Sequence, residues 1–223
     1  MIMDHGAPVI VCPLEFERRA LLRSGVSLPC RIEVSGPGHE GITRWAGANR
    51  KHAGPVILTG LAGGLVPSMQ VGMTVLVDAV VAAGGRRHTP PWQPGITRDL
   101  ARGAVTSTTR VVTSHPAKGS LHKVTGAELV DMESLSFARV GDELGWQYGI
   151  IRGVGDSLEE PLPPGCDHWV DHNGRPAYGA ISKSLFQNPL SIRRMRELKR
   201  TGEAVMACVA ELLASTLATG RSG

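Results

Sequence analysis

Aromatic side chains are scarce in this chain: three Phe, two Tyr and four Trp among 223 residues. So few rings do not build the base-stacking platform of RNA-binding modules. Charge of one sign is also lacking. Lys and Arg total 24 against 20 Asp and Glu, a net charge of +4 and a pI near 9.1. That mild excess admits an anionic partner without demanding nucleic acid. No uninterrupted apolar run reaches the ~18 residues of a membrane span. The best, from Thr74 to Gly84, is short and contains Asp78. The first six residues carry Asp4 and no signal-peptide pattern. The four cysteines, Cys12, Cys30, Cys166 and Cys208, are widely spaced with no C-x-x-C, so reduced thiols are expected. A cytoplasmic location follows as the expectation. A Walker A Lys-Ser/Thr, a clean G-x-G-x-x-G and a G-x-S-x-G elbow are all missing. Their absence sets aside P-loop chemistry, ordinary dinucleotide binding and the serine hydrolases.

What is present reads as one globular domain over residues 1–223, with 42% hydrophobic and 20% charged residues. The 28 Gly and 15 Pro lie between apolar runs and mark tight turns. Apolar strands are expected at 8–14, 31–34, 55–59, 73–81, 104–113, 128–132 and 146–154. Helices are expected at 15–23, 42–52, 116–124, 133–144 and 190–217. Gly60 to Leu65 reads as a turn, 86–103 as a loop or partial lid, and 155–175 as a long irregular segment, a common place for function. Strands apolar on both faces that alternate with helices predict a three-layer α/β/α sandwich around a central mixed sheet.

Ligands in such folds collect at the carboxyl ends of strands. Three features gather there. Gly60-Leu61-Ala62-Gly63-Gly64 leaves backbone N–H groups bare, though a plain tight turn explains it equally. Val130-Asp131-Met132-Glu133 puts two carboxylates at the end of a buried strand. Carboxylates are rarely buried without a partner, and Glu133 also suits the first turn of a helix, favoured by the helix dipole. Asp156 follows the apolar run 148–154, where a cap is the alternative. Cys166, His168 and His172 resemble metal ligands, but the Pro and Gly around them oppose a regular helix, and no metal is expected. Arg193, Arg194, Arg196, Lys199 and Arg200 read as one solvated helix face that permits peripheral contact with an anionic membrane.

The three motifs, in this order, resemble the nucleoside phosphorylase and nucleosidase superfamily. Val56 to Leu65, running on to Met73, is similar to its glycine segment. Val130 to Glu133 is similar to its ribose-binding motif, and Ile151 to Asp156 to its base-binding aspartate segment. The narrower likeness is to hopanoid-associated phosphorylases, carried by Lys118-Gly119-Ser120-Leu121-His122, Thr125-Gly126-Ala127, Asn173-Gly174-Arg175-Pro176 and Asn188-Pro189-Leu190.

The resemblance implies a phosphorylase/hydrolase-like fold and cleavage of a purine N-glycosidic bond. It implies that Asp156 protonates or hydrogen-bonds N7 of the base and that Glu17 activates water. Glu133 would hold the ribose hydroxyls and Met132 would pack on the sugar. Asp131, Leu61, Ala62 and Gly63 complete the binding set, and Arg152 would hold the loop or Asp156 in place. No cofactor is implied, phosphate being at most a co-substrate, and a homodimer is the expected assembly. Phosphorolytic relatives carry phosphate-binding arginines near Glu15 and Leu58 and a serine near Leu61, all different here. Water is therefore slightly favoured as acceptor over phosphate, and a catalytically silent nucleoside- or lipid-binding protein is the third reading. The aromatic that stacks on the base in relatives is missing between Gln93 and Phe137, which leaves Trp92 and Trp169 as candidates.

Overall fold

In the computed structural model, the described residues are 6–93, 100–160, 162, 166–169, 171–175, 177 and 191–219. The apolar run Val9–Cys12 is buried throughout and forms β1. β2 is Arg31–Val34 and β3 Val56–Gly64. β4 is Thr74–Val81, β5 Arg87–His88 and β6 Ala101–Ser107. β7 is Leu129–Asp131 and β8 Tyr148–Asp156. The helices are α1 (Glu15–Arg23), α2 (Gly38–Ala48), α3 (His115–Thr125), α4 (Ser134–Leu144) and α5 (Ser191–Thr219).

β1 pairs in parallel with β2 and β3. β3 continues in parallel to β8 and meets β7 antiparallel at its end. β8 is antiparallel to β4, β4 is parallel to β6, and β6 is parallel to β7. The path β3–β8–β4–β6–β7 thus returns to β3, and the mixed sheet closes on itself. One face is covered by Ile42, Trp45 and Ala46 of α2 and Phe137 and Ala138 of α4, together with Trp146 and Tyr148. The Trp45 and Trp146 rings meet edge to face at 5.7 Å. The other face packs Ala20 and Leu21 of α1 and Met206, Val209, Ala210 and Leu213 of α5 on Ile10, Ile57 and Ile151. Each of the larger side chains among these contributes roughly 1.5–3 kcal/mol on full burial. The expected three layers are borne out.

Four expectations change. Gly60 to Gly64 is not a turn but the second half of β3, with Leu65 just beyond it, because the glycines pair with β8 on one edge and β7 on the other. Glu133 precedes α4 rather than starting it. The segment 86–103 contains β5 and the first residues of β6. β8 runs through to Asp156, two residues beyond the expected end. The helix α5 also holds a stretch, Met195–Ala218, long and apolar enough to cross a membrane, with mean hydropathy 1.3 in its best window. Glu203 and Glu211 interrupt it, so it was not an uninterrupted run. In this fold its apolar stripe covers the sheet. Exposed on it are Arg196, Lys199 and Arg200; the side chains of Arg193 and Arg194, and the whole of 188–190, lie outside the described residues.

Candidate active site

Gly63, near the end of β3, is where the acidic motifs meet. It pairs with Val130 of β7 on one edge and Asp156 of β8 on the other, across a register shift. A Cβ there would stand 3.1 Å from both carboxylate oxygens of Asp156. Gly60 allows a second close approach: its φ is +153°, and a Cβ would meet Glu17 Oε1 at 2.6 Å and Arg152 Nη1 at 2.9 Å. Gly60→Ala is expected to lower stability by about 1–3 kcal/mol, the usual cost of overpacking. Urea denaturation of the two proteins measures it.

Glu17 sits in the first turn of α1 and is 2% exposed. Its Oε2 accepts the Leu14 N–H at 2.9 Å, and its Oε1 accepts the Leu61 N–H at 2.8 Å. Burial is the main influence on its pKa and pushes it from 4.5 up to about 7, against the two N–H groups and Arg152. A carboxylate that titrates near neutrality is suited to accept a proton from water.

Arg152, in the middle of β8, is fully buried. Its Nη2 pairs with Asp131 Oδ2 at 2.5 Å and lies 3.6 Å from Glu133 Oε2. It does not hold Asp156, as one sequence expectation had it. The Asp131 carboxylate is used up within the protein. Oδ1 accepts from Ser107 Oγ at 2.6 Å and from the N–H groups of Glu133 and Ser134 at 3.2 and 3.1 Å. Oδ2 accepts from Ser134 Oγ and Arg152. Asp131 is therefore an organiser of the loop, not the ligand contact expected of it. Glu133 is as buried but has fewer partners: its Oε1 accepts the Gly38 N–H at 2.8 Å, at the N-terminus of α2. Burial first, and then Asp131, raise its pKa well above the ordinary carboxylate range. Met132 beside it is half-buried.

Leu61 and Ala62 also depart from expectation. The Leu61 side chain lies beside Gly155 and Gly202 on the α5 side, and its N–H is engaged by Glu17. Ala62 belongs to the core on the opposite face. Neither side chain is presented to a ligand, because both follow the pleat of a strand. Trp92 stacks on Gly149 at the start of β8. Seven residues separate Gly149 from Asp156, about 23 Å of strand, so Trp92 cannot stack on a base held by Asp156. Residues 172–174 lie against the start of α1 and against α2. Gly174 O accepts the Glu15 N–H at 2.9 Å, and Arg44 Nη2 donates to His172 O at 3.3 Å. The Glu15 carboxylate is claimed by Arg18 and Arg19 at 2.9 and 2.8 Å, which hold it ionised with its acidity near 2. Among the described residues no three His, Cys, Asp or Glu form a metal-holding group. The His168 side chain lies outside them.

One residue of the site was missed. Lys118 of α3 is completely buried, and its Nζ donates to Asp156 Oδ2 and, at 2.6 Å, to Ser157 O. The sequence singled it out only inside a five-residue marker. A lysine among helix-forming residues gives no sign of burial until the strand opposite it is known. α3 is fixed by local signals. Ser114 Oγ caps it through the Ala117 N–H, Pro116 lies in its first turn, and Gly126 ends it at φ +67°.

The model of the Phosphorylase superfamily matches residues 93–174, which include Lys118, the Asp131–Glu133 motif, Arg152 and Asp156. Over that segment the chain is similar to the phosphorylase superfamily, and its fold is that of solved nucleosidases. Within it, the chain is similar to 5′-methylthioadenosine/S-adenosylhomocysteine nucleosidase of Helicobacter pylori in complex with a pyrrolidine ligand. The TM-score is 0.67 at 15% identity over 95% of this chain and 97% of that one. The Arabidopsis thaliana 5′-methylthioadenosine nucleosidase gives 0.65 at 17% identity over 96% of both chains. The futalosine hydrolase of Helicobacter pylori gives 0.60 at 15% over 95% of each. No curated protein matches.

Proposed function

We propose that the protein is an enzyme that cleaves the N-glycosidic bond of a purine nucleoside, a 5′-modified adenosine, and passes the ribosyl group to water. The observation that carries this reading is the position of Glu17. It is held at the end of β1 by two backbone N–H groups, with its acidity near 7, facing the same buried site as Glu133 and Arg152. Glu133 takes the ribose hydroxyls, and Met132 lies under the sugar. Asp156 takes N7 of the base, whose departure leaves oxocarbenium character on the sugar. The surrounding carboxylates favour that positive charge. No cofactor takes part, and the protein acts as a homodimer in the cytoplasm.

A specific feature favours the second reading, in which phosphate attacks and the substrate is a nucleoside of the adenosylhopane type. A cavity of about 310 Å³ is lined by Ser35, Arg44, Asn173 and Arg175 beside Glu15, two residues from Glu17. Two guanidinium groups there suit an anion. The third reading, a silent binding protein, predicts thermal stabilisation by nucleosides without turnover. Free base is followed by absorbance with adenosine, methylthioadenosine and inosine, with and without phosphate. Hydrolysis predicts equal rates in both buffers. Strict phosphate dependence transfers the role of acceptor to the arginine-lined cavity.

A further inference from the structure

We infer that Lys118 is a positioning residue for bond cleavage: it fixes Oδ2 of Asp156, leaves Oδ1 for the base, and neutralises the carboxylate that forms when Asp156 gives up its proton. The inference rests on the nucleoside-cleaving reading above. The geometry behind it is specific. Lys118 has no exposed surface, and its two acceptors, Asp156 Oδ2 and Ser157 O, are adjacent in the chain. A buried lysine is among the most costly groups a fold can carry unless a partner compensates it. Here α3 delivers the ammonium to one oxygen of one carboxylate. Gly63 keeps the space beside both oxygens clear.

The neighbouring charges are otherwise committed. Arg152 serves Asp131 and Glu133. Glu17 is held by Leu14 and Leu61. His115, on the same helix as Lys118, meets the Leu158 carbonyl at 3.2 Å. Burial raises the pKa of Asp156, and Lys118 opposes that rise. The lysine thus keeps a desolvated acid strong enough to let its proton go.

In the step itself the C1′–N9 bond breaks and its electron pair stays with the base. The Asp156 proton moves to N7, so the base leaves neutral. The new carboxylate is met by the Lys118 ammonium. Water bonds to C1′ and its proton passes to Glu17. Solvent returns a proton to Asp156 after the base departs, and Glu17 releases its own.

The test compares the pH profile of kcat/KM, and kcat and KM separately, in the wild type, Lys118→Met and Lys118→Arg. Activity that needs protonated Asp156 falls as pH rises through its pKa. Removing the cation raises that pKa, so the alkaline limb of Lys118→Met moves up by about one pH unit or more. Its kcat falls by about 10–100-fold, part of the ~10²–10⁴ of a positioned acid, while KM changes less than about threefold. Lys118→Arg keeps the charge and leaves the limb in place. Should Lys118→Met not fold, Lys118→Gln gives the same limb shift with a neutral donor. A limb that stays put in the neutral variants, or a kcat within about threefold of wild type, overturns the inference alone. A wild type that releases no base from any nucleoside at any pH removes the underlying reading, and this inference with it.

Discussion

Asp156→Asn releases free base ~10²–10⁴-fold more slowly than the wild type, the contribution of a positioned general acid. Asparagine fills the same space beside Gly63 and can still meet a base edge, but it has no proton of useful acidity to give N7. The binding of adenine itself is expected to weaken far less than turnover, so kcat carries the loss. A second effect accompanies it. Lys118 loses the carboxylate that compensates its burial, and thermal unfolding of the variant is expected earlier than that of the wild type. The kinetic comparison is therefore made at a temperature where circular dichroism shows both proteins folded. A loss of less than tenfold removes Asp156 from the acid role.

Arg152→Met is expected to be the most destabilising single change in the site, by about 3–5 kcal/mol at pH 7.5, the range for a buried ion pair stripped of one partner. The methionine fills the volume, but Asp131, Glu133 and Glu17 are left facing one another with no cation among them. The deficit depends on pH in a fixed direction. Glu17 titrates near 7 in the folded protein against an ordinary value of 4.5. An acid raised in this way favours the folded state fully below pH 4.5, and that support is lost as pH rises from 4.5 to 7. Without Arg152 the rise is larger, so the deficit grows above pH 7, where Glu17 ionises in the wild type before it does in the variant. Urea titrations at pH 5 and 8.5 check it: the gap between variant and wild type is wider at 8.5 than at 5. An equal gap at both values shows that the guanidinium acts by packing alone.

The layers of the fold were legible where a strand is an apolar run, as in β1, β4 and β8, and where a helix has its own cap and stop, as α3 does. α1 and β2 fall within their expected bounds. The acids at 17, 133 and 156 were legible by a different route, the order of three motifs. Less was legible where a residue's role depends on the strand beside it. The glycine run reads as a turn from composition, yet it is a strand because two neighbours pair with it. Asp131 and Glu133 look alike in sequence. Only Ser107, 24 residues before Asp131, and Arg152, 21 after it, saturate the first carboxylate and leave the second with fewer partners. Lys118 gives no local sign at all, since its partner lies 38 residues away.

The placement of α5 bears on how the chain is made. Its buried stripe, Val205 to Leu217, covers the face of the sheet formed by β1, β3 and β8 and packs on α1. As the chain leaves the ribosome, Ile10, Ile57 and Ile151 are synthesised long before the helix that shields them. The nascent protein must carry an uncovered apolar face until α5 emerges. It is in this interval that a holding chaperone has a surface to bind, and a ribosome stalled before residue 205 should yield an aggregation-prone species in which the carboxylates at the site have not yet been enclosed.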